Sequence, residues 1–316
     1  MRLAGTPVGV HHEGPAWVRL GRGEKMAVVW TLLVVIWGST WLVIKVGLGD
    51  LPPFLFAGIR FTIALVPLLF LLSARGLKWP RRREDWVLLG GTAFLSFTLG
   101  YGLVFWAEQY IPSGLTAVLF TTYPLFGQLW AHAILPAERL TAKKAAGALL
   151  GLGGVLLIFA GRLGLEGPLA VWGGLAVVGS AASGSLGSVL IKARGGHLDP
   201  GVVTAAQMSL GGLPLLLIGL AVEGNPARLH WTPTAVLCLL YLALVGSSLA
   251  FVLWYRLLKT TEVTRAQVIP LLNTVVAVIL GWLVLGETFG VRGAVGTLAV
   301  LAGTALVLRR PTTHPR

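Results

Sequence analysis

The chain has 316 residues, of which 55% are hydrophobic and only 12% charged, and its mean hydropathy is +0.81. Soluble domains carry about 25% charged residues, so an ordinary soluble enzyme and a disordered chain are excluded. With Cys238 alone, so is a disulfide scaffold. The net charge of +13 would suggest nucleic acid on a soluble protein, but its placement along this chain says otherwise.

Residues 1–25 are polar, with Pro7 and Pro15, and read as a cytoplasmic tail rather than a cleavable leader. Met26 stands directly before the first apolar run and is a second candidate start. A bilayer core of about 30 Å needs about 20 apolar residues per helix. Ten runs meet that need: 26–46, 53–73, 86–106, 113–135, 142–161, 169–191, 199–221, 233–255, 264–286 and 290–308. They are continuous and about twice the length of the alternating segments of an outer-membrane barrel. The expected fold class is therefore an all-α membrane protein of ten transmembrane helices.

Orientation follows from lysine and arginine, which concentrate in cytoplasmic loops. With the N-terminus inside, the cytoplasmic segments hold twenty of the 25 basic residues and the outer segments only Arg162, Arg228 and Arg292. Lys45 and Arg60 lie within spans. Both termini, including the tail 309–316, are thus expected in the cytoplasm. The basic loops then face anionic lipid headgroups and no nucleic acid is implied. Tryptophans mark the two interfaces: Trp30, Trp86, Trp130 and Trp254 near the inner ends of spans, Trp106, Trp172, Trp231 and Trp282 near the outer ends.

The chain also repeats itself. At an offset of 149, Ala145, Gly147, Leu149, Leu152, Gly154 and Leu157 meet Ala294, Gly296, Leu298, Leu301, Gly303 and Leu306. Glu138 meets Glu287 and Ala117 meets Ala266, while Ile44-Lys45 resembles Ile191-Lys192 at an offset of 147. The expected units are 26–161 and 169–308, five helices each. Because five is odd, the second unit enters the membrane from the other side. Inverted repeats of this kind build secondary transporters, with the site near the midplane between them.

Several segments are familiar in their order: Trp37-Gly38-Ser39-Thr40-Trp41, Phe56-Ala57-Gly58-Ile59-Arg60-Phe61, Pro124-Leu125-Phe126 ahead of Glu138-Arg139-Leu140-Thr141, and Gly286-Glu287 before the last span. From Met26 to Leu308 the chain resembles the EamA-type exporters of the ten-helix drug/metabolite transporter superfamily. The resemblance implies two EamA repeats, both termini inside, a central cavity, and fifth and tenth helices away from that cavity. It also implies export of amino acids, related metabolites or amphiphilic compounds.

Polar groups at bilayer depth are costly and mark a transport path. Trp37, Ser39, Thr40, Tyr101, Thr121, Tyr123 and Asn273 are the candidate substrate-binding residues. Ser96, Thr98, Thr122, Ser180, Ser183, Ser185, Ser247 and Ser248 lie at similar depth, where a lone serine more often bonds its own helix or eases packing. Pro124 and Pro270 are candidate hinges, since each removes a helix hydrogen bond beside polar side chains. Trp37 and Trp41 share one helical face, as a core or lipid-facing stripe or as an aromatic cavity wall. Lys45 either meets a substrate carboxylate or snorkels to the outer headgroups; deeper Arg60 either bonds helix carbonyls or acts on substrate. Gly147, Gly151, Gly154, Gly296 and Gly303 read as a helix-contact surface.

No carboxylate falls at the midplane, which disfavours proton exchange through an embedded acid; Glu108, at an outer mouth, stays in consideration. No metal-ligand pair, paired intramembrane aspartates or phosphate loop occurs, so no enzyme, cofactor or metal site is expected. The sequence thus reads as an exporter of small neutral, zwitterionic or anionic metabolites, amino acids foremost, whose two halves rock about the cavity. Efflux of amphiphilic drugs is the alternative within transport, and a membrane-embedded enzyme the alternative outside it. A multi-pass prokaryotic plasma-membrane location and a monomer are both compatible with this reading.

Overall fold

A computed structural model describes residues 22–136, 140–160, 167–261, 266, 268–287 and 290–308. Among these residues there are helices and no strands. In chain order they are α1 (Arg22–Gly47), α2 (Pro53–Ala74), α3 (Arg83–Ala107), α4 (Ser113–Phe120), α5 (Tyr123–Ile134), α6 (Ala142–Ala160), α7 (Pro168–Arg194), α8 (Pro200–Val222), α9 (Pro233–Thr260), α10 (Val268–Leu285) and α11 (Val291–Leu308). Six of them, α1, α2, α3, α7, α8 and α9, are long and apolar enough to cross a membrane, and α10 and α11 contain shorter apolar helices. The two tails beyond 22–308 and the motif residues Glu138 and Arg139 lie outside the described residues.

The helices start where the chemistry allows. Pro53, Pro168, Pro200 and Pro233 occupy first turns, where a missing N–H leaves nothing unpaired. Other free N–H groups of first turns are taken by side chains: Asp199 accepts from Gly201 N at 2.7 Å, and Thr232 from Ala235 N at 3.0 Å.

Three places depart from regular α-helix. The run expected as one span over 113–135 is divided between α4 and α5. Thr121 N and Thr122 N bond back three residues, to Val118 O and Leu119 O, which tightens the turn. Pro124 then sits in the first turn of α5 rather than inside a helix. The other two departures are π-helical stretches, Phe94–Tyr101 in α3 and Tyr241–Leu249 in α9, which begin 147 residues apart.

The two sequence halves do not form two separate bundles. The most extensive pairings are α6 with α11, α3 with α7 and α2 with α8, and each joins a helix of the first half to one of the second. Around the centre, α1 packs with α9 and α10, while α3 and the α4–α5 pair pack on α7. The pairs α2/α8 and α6/α11 flank this ring.

Glycine permits the closest of these approaches. A side chain carbon at Gly154 would stand 2.7 Å from Gly296 O and 2.8 Å from Val300 N; one at Gly58 would stand 2.6 Å from the backbone of Leu216. Gly151, Gly154 and Gly303 of α6 and α11 are therefore contact surface, as the sequence suggests. Large apolar side chains such as Phe70, Leu149 and Leu298 point outward from the bundle, the surface a lipid solvent favours. Gly154→Leu should destabilise the protein by about 1–3 kcal/mol through overpacking against backbone, read as a lowered unfolding midpoint in detergent micelles.

Candidate functional site

A cavity of about 100 Å³ lies at the centre of the ring. It is lined by α1, α3, α4–α5, α7, α9 and α10, and by no residue of α2, α6, α8 or α11. Among the described residues that line it, eight of eighteen are aromatic and none is charged. Trp37 packs against Trp254 at 5.3 Å and edge-on to Phe251 at 5.5 Å. Trp41 meets Phe120 at 5.1 Å, and Phe120 stacks on Tyr123 at 5.4 Å.

Polar groups punctuate this wall. The Tyr123 hydroxyl shares a 2.5 Å hydrogen bond with Ser188 Oγ, and Ser180 Oγ donates to Gly100 O at 2.8 Å. Thr40 Oγ1 donates to Trp37 O of its own helix at 2.7 Å. Two lining residues hold buried polar atoms without a hydrogen-bond partner, Trp41 Nε1 and Ser96 Oγ. A ligand that supplies an acceptor to the first would relieve a real cost.

Of the candidates read from sequence, Trp37, Thr40, Tyr101, Tyr123, Asn273 and Pro270 all line the cavity. Ser39 and Thr121 do not: Ser39 Oγ pairs with the Tyr241 hydroxyl at 2.6 Å, and Thr121 Oγ1 donates to Val118 O at 2.6 Å. Pro124 is also outside the lining. Trp41 joins the wall, which favours the aromatic-wall reading of the α1 face over a lipid-facing one. Sequence reasoning placed Trp254 at an interface, yet it is 3% exposed and lines the cavity, whereas Trp86, Trp172, Trp231 and Trp282 are exposed. Phe251, Trp254 and Tyr255 were legible only as an aromatic cluster at the end of α9, a signal equally suited to an interfacial belt.

The two embedded cations are absent from the lining. Lys45 Nζ donates to Glu108 O at 2.5 Å and to Ile111 O at 3.0 Å, closing the end of α3 rather than snorkelling. Lys192 makes the same bridge further along the chain, to Leu258 O at 2.7 Å and Thr261 O at 3.0 Å. Arg60 is 1% exposed. Its Nε donates to Ser247 Oγ at 2.8 Å and its Nη2 to Gly246 O at 3.5 Å, both in the π-helical stretch of α9. The guanidinium also lies 5.1 Å from the ring centre of Tyr101 and 5.7 Å from that of Phe105.

Glu108 follows α3 directly and is fully buried. Burial pushes its carboxyl well above the ordinary carboxylate range; Lys45 opposes this, Glu287 adds to it, and Arg60 opposes it. Glu287 itself caps α4, accepting from Ser113 N at 2.7 Å and Gly114 N at 2.8 Å. Glu223 caps α2 in the same way through Phe54 N and Leu55 N, at 2.9 and 2.7 Å.

Comparison with known proteins places this architecture. The model of the EamA-like transporter family matches twice, over residues 25–160 and 171–309. The chain belongs to the EamA-like transporter family. It is 31% identical to the uncharacterized transporter YoaV of Bacillus subtilis (strain 168), over 86% of this chain and 92% of that one. It is also 31% identical to a probable amino-acid metabolite efflux pump of Salmonella typhimurium (strain LT2), over 86% and 91%. The uncharacterized inner membrane transporter YedA of Escherichia coli (strain K12) is 32% identical over 81% of each chain. A solved crystal structure, 22% identical, shares the fold at a TM-score of 0.64 over 90% of this chain and 97% of its own. This EamA-like protein is thus an integral, multi-pass membrane protein within the drug/metabolite transporter superfamily.

In this family member Arg60 supports the fold, so its loss of a partner should be felt as instability. Ser247→Ala leaves the buried Nε–H without an acceptor and should cost about 1–3 kcal/mol, measured as a lower unfolding midpoint.

Proposed function

We propose that this EamA-like transporter exports small zwitterionic solutes, amino acids foremost, by alternating access through the central cavity. The observation that carries the proposal is an aromatic, uncharged chamber ringed by two trios of helices, α1/α9/α10 and α3/α4–α5/α7. Aromatic faces attract an ammonium group, and Trp41 Nε1 is an unused donor for a carboxylate. The name of the Salmonella relative agrees with that substrate class. A wall without a cation makes purely anionic solutes the least favoured of the metabolites considered. The solute crosses unchanged, without a catalytic step.

The reading includes ten spans, α4 and α5 together making the fourth, in inverted repeats over 26–161 and 169–308. Recurrent contacts at opposite ends of the bundle support it. Lys45 and Lys192 bridge equivalent carbonyls, and Asp50 pairs with Thr232 at 2.6 Å while His197 pairs with Asp85 at 2.9 Å. Positions 50 and 197, like 85 and 232, are 147 apart. Basic-residue placement puts both termini in the cytoplasm, with anionic lipid against the basic loops. The end holding Lys45, Glu108 and Glu287 is then the outer one.

The moving bodies are the two trios rather than the sequence halves, since the halves interlock through α2/α8 and α6/α11. Pro270 and the Thr121–Thr122 turn before Pro124 supply the bends. Trp37, Thr40, Tyr101, Tyr123 and Asn273 are the substrate contacts. Efflux of amphiphilic cations is a second reading, favoured by the same aromatic wall.

The test is efflux from liposomes loaded with mixed amino acids, organic acids and lipophilic cations. Selective loss of amino acids supports the proposal, and selective loss of lipophilic cations moves it to the second reading. Asn273→Ala and Tyr123→Ala should each cut the transported flux by roughly tenfold, the equivalent of about 1.4 kcal/mol, at unchanged membrane expression. Full activity in both variants removes the cavity assignment.

A further inference from the structure

The outer end contains a group that neither the fold nor the cavity uses. Glu108 is 0% exposed and neither carboxylate oxygen has a hydrogen-bond partner. Its backbone carbonyl serves the Lys45 bridge, but the side chain has no part in that bond. The matching bridge at Lys192 shows that the role needs no acid, because the carbonyl there belongs to Leu258. An apolar side chain fills the equivalent place, so the carboxyl is superfluous to the scaffold.

The groups around it are charged on several sides. Lys45 approaches from α1, Arg60 from α2, and Glu287 from the α10–α11 connection. Tyr101, on α3 itself, carries the Arg60 guanidinium on its ring. The neighbouring α4 and α7 bring no ionisable side chain before Lys192. Arg60 Nη1 is likewise buried without a partner. A carboxyl group and a guanidinium therefore stand near each other, each with an unused hydrogen-bonding atom. A carboxylate left ionised in such a dry site would be costly, whereas a neutral carboxyl is tolerated.

We propose that Glu108 is a proton-binding site that governs closure of the outer end. The carboxyl carries a proton while the outer end is packed as here, and loses it when α3 parts from α1 and α2 and water enters. Proton uptake from the outer medium then permits reclosure and the return step of the export cycle. The sign follows from linkage: the closed form holds the proton more tightly, so acid favours closure and rising pH removes that advantage. The proposal rests on the transporter reading and its orientation, and it adds a ligand, the proton, at a place remote from the solute.

Two measurements on the full-length protein test it separately. The first is the infrared carbonyl band of a protonated carboxylic acid, compared among wild type, Glu108→Gln and Glu108→Leu. The expected result is a band that both variants lose. A band undiminished in the variants, or absent from the wild type at acid pH, overturns the proposal. The second is exchange of a transported amino acid across proteoliposomes as the pH on the outer face of the protein is varied. Wild-type exchange should fall severalfold from mildly acid to mildly alkaline medium. Glu108→Gln should stay near the acid-side rate throughout, with Glu108→Leu as the check should the glutamine variant misfold. The same pH profile in the variants, or a flat profile in the wild type, overturns the gating role. If no solute moves in any protein, the transport reading fails, and the infrared band alone then decides for or against the proton site.

Discussion

Inside a hydrocarbon solvent no water is available to satisfy a backbone group, so each free N–H or C=O must find a partner within the protein. Continuous helices meet this demand along their length, and the difficulty falls on their ends and irregular turns. Four half-buried charged side chains answer that difficulty. Lys45 and Lys192 tie down carbonyls at the ends of α3 and α9, while Glu223 and Glu287 take the free N–H groups of α2 and α4. Gly246 O, in the π-helical part of α9, is shared by Trp37 Nε1 and Arg60 Nη2. Because the charges are spent on the frame, the cavity wall is left neutral.

That neutrality shapes what the cavity does. In the proposed transport cycle recognition comes from ring faces, a few hydroxyls, Asn273 and the Trp41 indole rather than from fixed ions. Such contacts are individually modest and tolerate variation in the solute, so a wall of this kind selects a chemical class more readily than one compound. The flanking pairs α2/α8 and α6/α11 share no part of the lining among the described residues, and under the proposed mechanism their glycine-mediated contacts hold still while the ring moves.

Much of the frame was legible in the sequence because its signals are redundant. Long apolar runs and the glycine spacing shared by α6 and α11 both point the same way. The candidates from spans one, three, four and nine that line the cavity were, apart from the hinge candidate Pro270, polar or aromatic groups at a depth where few excuses exist for them. Trp254 was not legible, since tryptophan near a span end is equally at home in headgroups. Ser39 and Thr121 have the composition of site residues, but their hydroxyls are turned toward Tyr241 and Val118, and residue type carries no such direction. The roles of Lys45 and Arg60 depend on hydrogen-bond acceptors far along the chain. Pairing over 63 to 187 positions leaves no trace in local pattern.

The reach of Arg60 has a consequence for biogenesis. Its hydrogen-bond partners lie in α9, so the guanidinium enters the bilayer well before the helix that neutralises its demand has been synthesised. Until then α2 is a poorly anchored span whose arginine seeks headgroups or water, and α2 can sink to its final depth only once α9 arrives. Assembly of this protein is thus held open from its second span almost to its last, and a chain released before residue 247 would present the quality-control machinery with an arginine stranded in lipid.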